Sequence, residues 1–435
     1  MSQKIFVSFL GTTAYDPVSY KSWKNDGHDV STSYVQRAIL ELYPHSDIDV
    51  IVLFVTKESL KNYEEKLKGE LNILGVDQNK IETEIIPTDF SDLSMSWKWF
   101  ESLQSKFKNG DSLILDVTNG PRMVPIIFSA AVAYLKRVKN VHLDAVLYAW
   151  KSSEEKSHKA EYLIVNLKDF YTISDWTEGV GRLVDTADPS FLRKTAENEA
   201  NGSFAWLNNQ ELLDSIDELT NAFRNVELQN LESKARRSLD LICKFKEQSR
   251  GDLEEQVLKK IIEKFQPLIS EPPLDGTYSL DYLKLQLRLI KMLAEYKLYM
   301  QAFTAMNEWL GSLGVYLMKR GADFEFNDDD KEESARWHAD VFLTMLEHYD
   351  HYSAKNPKVL RTKESMDGAY RLLIEKYSSR DEIKNLIDQS KKIRNGFDHG
   401  WTGKNRKGAP QNLEEQFNNA MATLEEIVSK IEKDA

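Results

Sequence analysis

Ser112-Leu113-Ile114-Leu115-Asp116-Val117-Thr118-Asn119-Gly120-Pro121-Arg122 reads as an apolar strand that runs into a polar, glycine-containing loop and then opens a helix. Proline suits the first turn of a helix, where its missing N–H costs nothing. Working outward, Asp49 to Val55 is almost wholly β-branched or aromatic, the composition of a strand buried on both faces. Ile5 to Leu10, Ile81 to Ile86, His142 to Trp150 and Glu161 to Leu167 are further strand candidates. Helical periodicity fills the intervals Ser33 to Tyr43, Ser59 to Leu74, Ser94 to Phe107 and Val124 to Lys136. Alternation of this kind predicts an α/β, Rossmann-like and mostly parallel sheet with helices on both sides. Ligands of such sheets bind at the carboxyl ends of the strands.

The pattern changes beyond residue 170. Gly179, Gly181, Pro189 and Gly202 predict a hinge over 171–204. The remainder, 205–435, is expected to be all-helical, with amphipathic stretches at Glu211 to Phe245, Leu253 to Phe265, Leu280 to Met300, Gln301 to Lys319, Ser334 to Tyr349, Glu364 to Tyr377 and Leu413 to Ile431. The 435 residues thus divide into an α/β domain over 1–170, a hinge and a helical domain.

Bulk composition excludes several classes. A formal net charge of −12 argues against a protein that coats nucleic acid through overall charge. The single cysteine, Cys243, rules out an internal disulfide and fits a reducing, cytoplasmic setting. The sequence holds no long uncharged apolar run of membrane-span length, no P-loop, no G-x-G-x-x-G and no clustered metal-ligand set, so neither a metal nor a cofactor is expected. A helix-turn-helix with a basic recognition helix is also missing, which argues against specific DNA binding.

Two strand-end loops carry the groups that suit a phosphate- or ribose-bearing ligand. Gly11-Thr12-Thr13-Ala14-Tyr15 follows the first strand and offers backbone N–H groups and hydroxyls. In the second loop Thr118 and Asn119 supply side-chain donors, Gly120 allows close backbone approach, and Arg122 can pair with a phosphate.

The other chemical signal is Lys391-Lys392-Ile393-Arg394-Asn395-Gly396-Phe397-Asp398-His399-Gly400-Trp401. Metal-free RNA cleavage needs a group that moves protons near neutral pH and a cation that meets charge developing at phosphorus; histidine and arginine fit. A second match to this spacing, Arg137 to His142, reads as coincidence at a helix–strand junction. The Arg394 match stands apart because Asn395 follows the arginine and Lys391, Lys392, Lys404, Arg406 and Lys407 surround it, a local basic footprint for an RNA backbone. Five residues on a regular helix turn through about 140°, so one straight helix cannot aim both groups at one phosphate. Either Gly396 relaxes the helix or a second copy completes the site, and a homodimer with the site at its two-fold axis is the simpler arrangement.

Together these motifs resemble the CRISPR-associated ribonucleases of type III systems that join a CARF domain to a HEPN domain. Tyr299 to Leu310 also looks like that family's first HEPN helix. The resemblance implies a homodimer, with higher oligomers an extension of it, whose CARF domains bind a cyclic oligoadenylate, the tetra-adenylate ring favoured over the hexa-adenylate. It implies that Gly11, Thr12, Thr13, Thr118, Asn119, Gly120 and Arg122 contact this activator. Arg394, Asn395 and His399 would then cleave single-stranded RNA by 2′-OH attack. Asn119 departs from the histidine that related proteins often carry there. The competing expectation is a non-catalytic, ligand-responsive regulator or scaffold.

Overall fold

The computed structural model describes residues 2–13, 15–22, 28–42, 45–86, 93–119, 124–152, 161–198, 208–247, 252–274, 278–322, 324–329, 334–347, 357–401 and 410–434. The chain separates into two units, 1–174 and 175–435.

The first unit is built on eight strands: β1 (Lys4–Leu10), β2 (Val18–Lys21), β3 (Asp29–Thr32), β4 (Val50–Val55), β5 (Ile81–Ile85), β6 (Ser112–Asp116), β7 (His142–Lys151) and β8 (Glu161–Asn166). They form one sheet in the order β3-β2-β8-β7-β6-β1-β4-β5. From β7 to β5 every neighbouring pair is parallel, with Ile5 opposite both Val50 of β4 and Leu113 of β6. β8 then turns antiparallel to β7, β2 lies parallel to β8, and β3 closes the edge antiparallel to β2. Burial of β1 on both faces explains its unbroken apolar run. Phe6 and Leu10 pack with Ala38, Ile39, Leu67 and Leu71 on one side. Ile5, Val7 and Phe9 pack with Trp99, Leu103, Phe128 and Leu135 on the other. This is the expected doubly covered, mostly parallel sheet.

β2 and β3 escape a reading by hydrophobic pattern. Each has four residues, Val-Ser-Tyr-Lys and Asp-Val-Ser-Thr, too short and too polar to stand out from the loop around them.

The second unit is mostly helical. The expected hinge over 171–204 is a correction: helices Lys168–Thr186 and Ser190–Asn198 occupy much of it. Glycine misled the reading, because Gly179 sits inside the first helix as a packing device. A Cβ there would lie 3.0 Å from the Leu192 Cα, so the missing side chain lets the second helix approach. The amphipathic stretch from Glu211 to Phe245 is likewise two helices, Gln210–Arg224 and Leu231–Lys246, separated where Val226 adopts φ +58°. Helix Tyr299–Ala322 is the centre of the unit, with Phe303, Met306, Trp309, Leu310, Leu313 and Leu317 all fully buried. Helix Arg380–Asp398 was hidden from periodicity by its charge, yet it starts in a complete capping box between Ser379 and Glu382. Among the described residues no helix is long and apolar enough to cross a membrane.

Gly314 and Gly181 test this account. A Cβ on Gly314 would come within 2.2 Å of the Phe342 ring, whereas one on Gly181 meets nothing within 4 Å. Gly314→Ala should therefore destabilise the chain by about 1–3 kcal/mol in urea unfolding. Gly181→Ala should be neutral or stabilising by about 0.5–1 kcal/mol, because it only adds helix propensity.

Candidate ligand and nuclease sites

β1 and β6 are hydrogen-bonded neighbours running in the same direction, so their carboxyl ends deliver the two candidate loops side by side. A Cβ placed on Gly11 would lie 3.7 Å from the Asn119 Cβ and 3.2 Å from the Tyr15 hydroxyl. Gly11, Thr118 and Asn119 are half-buried, and Thr12 and Thr13 are exposed. Gly120 and Arg122 lie outside the described residues.

Beneath these loops is a buried polar lock that sequence patterning did not select. Ser8 donates its hydroxyl to Asp116 Oδ2 at 2.6 Å, with both residues fully buried. Thr118 N–H donates to Asp116 Oδ1 at 2.9 Å. The Thr118 hydroxyl also bonds to Asp116, and its oxygen accepts from Ala149 N–H at 2.9 Å. Thr118, expected as a ligand contact, is therefore engaged on both sides by the framework. The signal for Ser8 was present: a hydroxyl in the middle of an otherwise apolar buried strand needs a partner. Burial pushes the Asp116 carboxyl above the usual carboxylate range, against the hydrogen bonds from Ser8 and Thr118.

Tyr15 belongs to the same place. Gly11 N–H donates to its hydroxyl at 2.7 Å. Its ring lies 4.9 Å from the Tyr34 ring and 5.0 Å from that of Tyr63. A glycine N–H, exposed threonine hydroxyls and an aromatic wall suit a ligand with phosphate or ribose oxygens and planar bases.

In the second unit, Arg394 and Asn395 lie half-buried in the last turns of helix Arg380–Asp398, and His399 is its exposed C-terminal cap. The helix runs without a break through Gly396, so of the two alternatives the local relaxation does not occur. Gly396 instead makes room for Trp401: a Cβ would come within 2.4 Å of that indole, and Trp401 N–H donates to Gly396 O at 2.8 Å. Trp401 at φ +59° and the ring of Phe397, 5.5 Å away, complete the turn. Arg394 Nε lies 3.9 Å from Asp398 Oδ2, a distance at which the guanidinium is steered rather than tightly held. Lys391 is half-buried and Lys392 exposed on the same helix, while Lys404, Arg406 and Lys407 lie outside the described residues. Among the described residues no group of His, Cys, Asp and Glu could hold a metal ion.

The lock makes a pH prediction. Because the native Asp116 carboxyl keeps its proton to higher pH than the unfolded chain, its contribution to stability is greatest in acid. Relative to Asp116→Asn, the wild type should lose stability as pH rises from about 4 through the raised native value, and then level off. Urea unfolding of both proteins from pH 4 to 8 reads this difference; a flat or rising profile contradicts it.

Residues 5–153 match the family described as "CRISPR system endoribonuclease Csx1, CARF domain". CRISPR-associated protein MJ1674 of Methanocaldococcus jannaschii is 24% identical over 148 residues, which cover 33% of this chain and 23% of that protein. The chain thus spans about a quarter of the length of that relative. Among solved structures, "Enterococcus italicus Csm6 bound to cyclic hexa-2'-fluoro-hexa-dAMP" covers 100% of this chain and 95% of its own at 12% identity and a TM-score of 0.43, a remote likeness. The match over 5–153 takes in β1 to β7 and both candidate loops. Over residues 5–153, therefore, this chain is similar to the CARF domain of CRISPR-associated proteins.

Proposed function

We propose that the chain is a ribonuclease switched on by a cyclic oligoadenylate. The observation that carries the sensing half is the apposition of Gly11 and Asn119 at the carboxyl ends of paired strands within the CARF match. Gly11, Thr12, Thr13, Asn119, Gly120 and Arg122 are the contacts this reading assigns to the activator, with Thr118 and Asp116 holding the second loop in shape. A cyclic tetra-adenylate or hexa-adenylate offers repeated phosphates, riboses and bases to such loops.

The cleaving half rests on Arg394, Asn395 and His399 in a HEPN-type helical unit. The ribose 2′ oxygen attacks its own phosphorus as the bond from phosphorus to the 5′ oxygen breaks. His399 relays the 2′-OH proton to the departing 5′ oxygen, and Arg394 meets the charge that develops on the phosphoryl oxygens. The products are a 2′,3′-cyclic phosphate and a 5′-OH. Since the helix is regular through Asp398, two copies of the segment in a homodimer supply the composite site that one helix cannot. Lys391 and Lys392, with Lys404, Arg406 and Lys407, hold the single-stranded RNA.

One observation favours a second reading, a ligand-responsive regulator without catalysis: the family match ends at residue 153, before the helical unit begins. The two readings part in one experiment. Labelled single-stranded RNA is incubated with the chain and a panel of cyclic tri-, tetra- and hexa-adenylates, with and without EDTA. The nuclease reading expects cleavage with one ring size, unaffected by EDTA, and at least a hundredfold loss in Arg394→Ala and in His399→Ala. RNA binding without turnover under every condition establishes the regulator instead.

A further inference from the structure

The Gly11 N–H, at the start of the first loop, is already taken. It donates to the Tyr15 hydroxyl at 2.7 Å, and a Cβ on Gly11 would meet that same oxygen at 3.2 Å. Tyr15 reaches back four residues to do this, and its ring is steadied by Tyr34 and Tyr63 at 4.9 and 5.0 Å. Burial raises the phenol far above its ordinary value, so the oxygen is a neutral hydroxyl at physiological pH. A neutral hydroxyl satisfies a backbone N–H in the way a phosphate or ribose oxygen would, but without the added strength of a charged acceptor.

We propose that Tyr15 is a built-in competitor for the oligoadenylate site, its hydroxyl capping the Gly11 N–H until an oxygen of the ligand displaces it. This rests on the sensing half of the proposed function. The exchange keeps the Gly11 N–H paired in both states, and it sets a threshold: weak acceptors gain nothing from displacing the hydroxyl, while a phosphate oxygen does. The phenol oxygen is fixed in the plane of its ring, so the Tyr15 ring moves with it, while Tyr34 and Tyr63 keep the rest of the aromatic wall.

Tyr15→Phe removes the oxygen and keeps the ring. Without ligand, exchange of the Gly11 amide hydrogen should speed up several-fold in Tyr15→Phe. With cyclic tetra- or hexa-adenylate, calorimetry should give binding about 3–10-fold tighter than wild type, the gain expected from one net hydrogen bond no longer broken. Tyr296→Phe, which removes a buried hydroxyl in the second unit, should match wild type in both measurements. Unchanged or weaker binding by Tyr15→Phe, or equal tightening in Tyr296→Phe, overturns the competitor role while leaving the sensing reading intact. If neither wild type nor Tyr15→Phe binds any ring, the sensing reading itself fails and this role fails with it.

Discussion

The buried hydrogen bond from Ser8 to Asp116 is the constraint on which the loop-bearing end of the first unit depends. It joins β1 to β6 at 2.6 Å in a fully buried setting, with Asp116 the last residue of β6 and Ser8 two residues before the end of β1. A buried carboxyl that lost these partners would carry a desolvation penalty of roughly 1–3 kcal/mol or more. The alternatives in which the loops drift apart are therefore costly. Thr118, tied to Asp116 and to Ala149, extends the lock into the second loop. Gly11 and Asn119 are consequently near neighbours because strand pairing and a buried acid put them there.

The central sheet was legible because burial on both faces writes a simple pattern: uninterrupted apolar runs such as Ile5 to Leu10 and Val50 to Val55. Both loops were legible for a related reason, as polar residues that begin abruptly where an apolar strand stops. Ser8 lies within a strand, where a reading of the loops for donors does not reach, and Asp116 reads as the start of the second loop when it is the buried last residue of β6. β2 and β3 were lost to their shortness and alternating polarity. Gly179 was read as a breaker when its role is close helix packing, a distinction that depends on Leu192 thirteen residues later. In the second unit the Arg394 segment was visible as chemistry, but the helix that carries it was not, since its charged face masks the apolar one formed by Ile383, Leu386, Ile387 and Ile393.

The two halves of the proposed function rest on different kinds of support. The sensing half stands on strand pairing, a buried lock and a family match that covers both loops. The cleaving half stands on residue chemistry at the end of one regular helix, and it requires a second copy to bring arginine and histidine to one phosphate. Gly396 fits that division: it contributes to a tight Trp401 turn at the helix end, which holds His399 at a defined cap position.

Hydrogen–deuterium exchange of the full chain, with and without a cyclic oligoadenylate, tests the central claim most directly. The account predicts slowed exchange concentrated in the segments just after β1 and β6, at 11–15 and 117–122. Protection confined to other segments, or none at saturating concentrations of every ring size, would contradict it.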